Sequence, residues 1–154
     1  MINFVATATL AIGLLAASPK APEWETNYGK ALEETRSGQD PLLVVLDKPS
    51  SKEARIEPAL LSEDKATADN SKLLKPYRLC HVDVTTEYGK KVAEVFHAKE
   101  FPHVAIIDKT GSMVIFKKTG QIDLAEWEKI LTNKINKSGE RPSSYCPNCQ
   151  RNKL

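Results

Sequence analysis

Apolar positions in this chain fall into short runs of two kinds, continuous and periodic. Leu42 to Leu46 and Val104 to Ile107 are continuous, of strand length, and lack the alternation of a strand with one wet face. Such runs suit strands covered on both sides. Pro102 cannot donate to a sheet ladder, so it belongs at the start of the second run, and Phe101-Pro102 reads as a constrained entry to it. Asp108-Lys109-Thr110-Gly111 then reads as a turn and Met113 to Phe116 as the returning strand of a hairpin. Leu79, His81 and Asp83 alternate against Cys80, Val82 and Val84, which predicts a further strand.

The periodic segments predict helices. Trp24, Tyr28, Ala31 and Leu32 recur at helical spacing until Ser37-Gly38. Thr85-Thr86 can cap a helix with Tyr88, Val92, Val95 and Phe96 on one stripe. Asp123 with Glu126 resembles a capping box, ahead of a stripe of Leu124, Trp127, Leu131 and Ile135. Between Ser50 and Asn70 the chain is polar. A helix over Lys52 to Leu61 would turn Ile56, Leu60 and Leu61 inward, but Pro58 makes it short or kinked. Helices between strands imply a parallel half of a sheet, and the hairpin adds an antiparallel half. The expected fold is α/β, a central mixed β-sheet flanked by helices on both faces.

Composition narrows the function classes. A chain of 154 residues with 41% hydrophobic content fits one ordinary domain. A formal charge of +2 from scattered basic residues argues against a nucleic-acid partner. The first 17 residues carry no charged side chain, and their apolar run is short for a membrane span but suited to a signal peptide. Residues 1–17 are therefore expected to direct export, to the periplasm or beyond, leaving no stable membrane span after cleavage near Ala17. Ser18 stands where a lipoprotein signal would place cysteine, which argues against a lipid anchor.

The element order, with an X-Pro entering the hairpin, resembles the thioredoxin-like fold over about Trp24 to Ile135. Leu42 to Leu46 matches the strand leading to that family's active site, His81-Val82-Asp83-Val84 its third strand, and Phe101-Pro102 its cis-proline loop. Asp40-Pro41-Leu42-Leu43-Val44 resembles the exported bacterial members. The resemblance implies a domain over 22–136 and a tail over 137–154, with no bound cofactor. It also implies that the family's buried acid on the central strand is missing, because Val45 stands near its place.

A thioredoxin carries CxxC after the central strand, at a helix N-terminus that lowers the thiol pKa. Here Pro49-Ser50-Ser51-Lys52-Glu53-Ala54 contains no cysteine, and a serine hydroxyl cannot form the mixed disulfide that exchange requires. Disulfide exchange at the usual site is excluded by composition. What the family retains is strand addition: the backbone before the proline pairs with an extended peptide. The expected peptide-binding site is Phe101 and Pro102, with Ser50, Ser51 and His103 lining the same shallow groove and a protein or peptide as partner. A serine hydrolase at Ser50 or Ser51 with His103 lacks an assigned orienting acid.

Cys146-Pro147-Asn148-Cys149 offers different chemistry. The pair could be an inert disulfide, a thiol-disulfide oxidoreductase or redox relay acting from the tail, or half of a zinc site. Zinc would need two more ligands, from the histidines or a second chain. Cys80 is expected to be a buried small hydrophobe.

Overall fold

The computed structural model describes residues 23–62 and 68–137. The elements are β1 (Trp24–Glu25), α1 (Tyr28–Gly38), β2 (Leu42–Asp47), α2 (Pro58–Leu61), α3 (Ala68–Leu74), β3 (Arg78–Asp83), α4 (Glu87–Phe96), β4 (His103–Ile107), β5 (Val114–Thr119) and α5 (Leu124–Lys137). The strands form one sheet in the order β1-β3-β2-β4-β5. β3 runs parallel to β1 and β2, while β4 is antiparallel to β2 and β5. This is the expected mixed sheet, and β2 is its central strand. The expected export signal over residues 1–17 and the Cys146/Cys149 pair lie outside the described residues.

All six residues of β2 are buried. The alternation of a strand divides them between two cores. Leu43 and Val45 join Leu79, Val104 and Ile106 under α2, α3 and α5, where Leu60, Leu74, Trp127 and Leu131 meet them. Leu42, Val44 and Leu46 join Cys80, Val82, Ala105 and Ile107 under α1 and α4, against Ala31, Val92 and Phe96. Each fully buried Leu, Val or Phe contributes roughly 1.5–3 kcal/mol. Such runs therefore belong in the middle of the sheet.

Three helical expectations are corrected. Trp24 does not belong to α1: it lies in β1, and the helix starts after Asn27, whose side chain accepts the Lys30 N–H. The Trp24 indole N–H donates to Leu61 O. On α4 the buried stripe is Gly89, Val92, Ala93 and Phe96, whereas Val95 is 63% exposed and Tyr88 sits at the margin. On α5 Leu124 is half exposed, and Ile130 joins Trp127 and Leu131 in the core. The side chain of Ile135 lies outside what is described. Pro58 does shorten the 52–61 helix, to the single turn of α2, with proline at its tolerated first position.

Polar groups are buried where they close this core. Asn70 Nδ2 donates to Leu60 O at 2.8 Å and Ser62 O at 3.1 Å, and its Oδ1 accepts the Trp127 indole N–H at 3.0 Å. One amide thus links α2, α3 and α5. The Tyr77 hydroxyl donates to Leu131 O at 2.7 Å. Both satisfy groups that would be costly to bury unpaired.

Candidate functional site

The antiparallel pairing of Leu46 with His103 brings the end of β2 beside the start of β4. The segments that leave β2 and enter β4 therefore meet at one end of the sheet. The segment after β2 folds back through its own backbone: Lys48 N–H donates to Ala54 O, Ser51 N–H to Lys48 O and Ala54 N–H to Ser51 O. Asp47 closes it from below, its Oδ2 accepting the Ile56 N–H at 3.0 Å. Its other carboxylate oxygen lies 2.8 Å from His81 Nε2. Asp47 is 2% exposed. Apolar Val45 is fully buried, as its sequence position implies. The central strand nonetheless buries an acid two residues later.

At the entry to β4 the Phe101-Pro102 peptide bond is cis. Pro102 is buried, and its carbonyl accepts the Gly120 N–H. Phe101 is half-buried, packed beside the α1/α4 core. Neither its N–H nor its C=O has a hydrogen-bond partner among the described residues. Lys48 Nζ lies over its ring, 5.3 Å from the centroid, within cation–π range. Beside Phe101 an open groove of about 500 Å³ runs between α4 and the end of β3. Its lining combines apolar Val84, Ala93 and Ala98 with charged Lys48, Lys90 and Glu94.

The expected serines and histidine are not brought into this groove. Ser50 is exposed and Ser51 half-buried, but neither lines it, because the turn after β2 folds onto itself. His103 is only 4% exposed, too deeply buried to line the shallow groove expected of it. It lies on the α4 side of β4, with its ring 6.2 Å from that of Phe96 and Nδ1 3.0 Å from Thr119 Oγ1. Its Nε2 is buried without a partner among the described residues. Burial lowers the His103 pKa below the usual histidine value, and nearby Lys117 lowers it further. The imidazole is thus held neutral at neutral pH.

The histidine that does meet a carboxylate is His81, against Asp47, and not His103. His81 is also edge-on to the Trp24 ring, with centroids 6.2 Å apart. Cys80 matches expectation: it is fully buried among apolar neighbours, and burial chiefly, with Glu25 adding, raises its thiol pKa to about 12. A thiol so placed is a poor nucleophile.

No protein-family model matches this chain. No curated protein does. Solved structures do, and they agree with one another. A thioredoxin from Thermus thermophilus superposes with a TM-score of 0.63 at 18% identity, over 78% of this chain and 92% of that one. The fold is thioredoxin-like. A poplar thioredoxin h gives a TM-score of 0.53 at 13% identity, covering 71% of this chain and 88% of its own. Thioredoxin O2 from Arabidopsis thaliana, in its oxidised state, gives 0.52 at 12% identity, covering 69% and 84%. At such identities the likeness concerns fold alone. On this thioredoxin-like frame, the only cysteine among the described residues is Cys80. No described helix is long and apolar enough to cross a membrane.

Proposed function

We propose that this chain is an exported thioredoxin-fold protein that works by binding rather than by exchange: a protein or peptide partner adds an extended segment alongside Phe101 and Pro102. The observation that carries the reading is the Phe101 backbone, a donor and an acceptor without partners among the described residues, beside a partly apolar groove. A backbone amide and carbonyl left open at a chain edge are what strand addition uses. Lys48 and Phe101 form one wall of the site and α4 the other. Lys48 leads into the turn that carries Ser50 and Ser51, and His103 follows Pro102 with its ring buried beside Phe96.

The test begins with heptapeptides selected from a displayed library against the whole protein. The tightest is titrated onto uniformly ¹⁵N-labelled protein while amide exchange is followed. The Phe101 amide is expected to exchange rapidly in the free protein and to gain at least about tenfold protection on binding. Protection confined to other surfaces, or failure to select any peptide, would overturn the reading.

A further inference from the structure

The two lysines on the groove differ in what holds them. Lys90 Nζ is taken by Glu87 Oε1 at 2.6 Å. Lys48 Nζ has the Phe101 ring beneath it and no ion-paired carboxylate among the described residues. Glu94, also on the lining, belongs to α4. The groove therefore has an open positive charge on the Phe101 side and a negative charge on the α4 side. Between them lie Val84, Ala93 and Ala98.

We infer that the segment docking here carries an acidic side chain within two residues of an apolar one, the apolar group entering between α4 and Phe101 and the carboxylate meeting Lys48. The inference rests on the strand-addition reading and specifies the chemistry of its partner. In an extended segment, side chains two positions apart point the same way and stand about 7 Å apart. Covering an ammonium with an apolar or basic group strips its water without return, whereas a carboxylate replaces that water with a charge-assisted hydrogen bond. Glu94 opposes a carboxylate placed against α4. The charge pattern thus sets the segment's orientation as well as its composition.

The experiment uses the selected heptapeptide, fluorescein-labelled, and a charge-reversed copy in which every Asp or Glu becomes Lys and every Lys or Arg becomes Glu. Fluorescence anisotropy at low ionic strength should show the parent binding about threefold or more tighter, the scale of an exposed ion pair. Lys48→Glu should invert the order, and Lys48→Gln should bring the two peptides together. The preference should fade at about 1 M salt, where charges are screened within about 3 Å. If the parent protects the Phe101 amide but both charge forms bind Lys48→Glu and wild type alike, the acidic partner is wrong while strand addition stands. If no selected peptide protects Phe101, both fail.

Discussion

His103 shows how one buried residue can couple the stability of the fold to pH. Its ring is enclosed by Phe96, Thr119 and the start of β4, and Lys117 lies close enough to oppose a positive charge. A histidine whose folded pKa is depressed binds fewer protons in the folded state than in the unfolded one just below the ordinary value of 6.5. Its contribution is therefore fully present above about pH 6.5 and is lost as pH falls from there toward the folded pKa. Urea midpoints measured between pH 7.5 and 5 should fall more steeply for wild type than for His103→Asn. Parallel profiles would show that the ring is not held neutral. Asp83 and Asp108 also titrate low, through hydrogen bonds from Thr85 and from the 110–113 turn respectively, but their effects belong to more acidic pH and are shared by both proteins.

At the scale of elements, the sequence made the strands legible and left some helix faces wrong. Continuous apolar runs survive any error of register, so β2 and β4 were read directly. A two-residue strand such as β1 has no period of its own. Trp24 joined the helical pattern until pairing with Leu79 decided otherwise. On α4, Val95 lay one position from the true stripe, because a helical face chosen by side-chain hydrophobicity overlooks a buried glycine. Gly89 is buried because the helix crosses the end of β3 there. A Cβ at that position would overlap the Asp83 carbonyl and come within 2.8 Å of Val84 Cα. Backbone atoms on both sides have no side chain to rotate away. Gly89→Ala should therefore destabilise the protein by roughly 1–3 kcal/mol despite alanine's better helix propensity. An unchanged denaturation midpoint would mean that α4 moves freely on the sheet.

α3 escapes the pattern for a related reason, since after Ala68 its first four residues, Asp69 to Lys72, are polar and its apolar pair, Leu73 and Leu74, comes only at the end. Its key residue, Asn70, gains importance only from carbonyls on α2 and an indole on α5. The candidate site was legible in the same uneven way. Phe101 and Pro102 announced themselves through the proline before an apolar run. Asp47 did not, because an acid at the end of a strand looks like the first residue of a turn. Lys48 could not be paired with Phe101 across more than fifty positions without the fold.

For the whole molecule, residues 49–54 after the central strand hold no cysteine, and Cys80 is buried with its thiol pKa pushed up to about 12, so neither place offers a reactive thiol. Adding the purified protein to insulin and dithiothreitol should leave the rate of insulin precipitation at background, for wild type and Cys146→Ser alike. Acceleration by wild type that disappears in Cys146→Ser would transfer the activity to the Cys146/Cys149 pair. The pH response, the tolerance at Gly89 and the insulin assay thus interrogate three separate parts of the chain.

The self-closed turn after β2 also has a consequence for protein engineering. Its bonds run from Lys48 to Ala54 and from Ile56 to Asp47, so both ends are anchored before the solvent-facing residues are reached. Within 49–53, Ser51 bonds through both its N–H and its carbonyl inside the turn and the Glu53 carbonyl accepts the Gln121 side-chain amide at 2.7 Å, so a replacement sequence there has to keep that backbone path. Short metal-binding or reactive loops grafted along that path would begin next to Lys48, whose ammonium lies over the Phe101 ring.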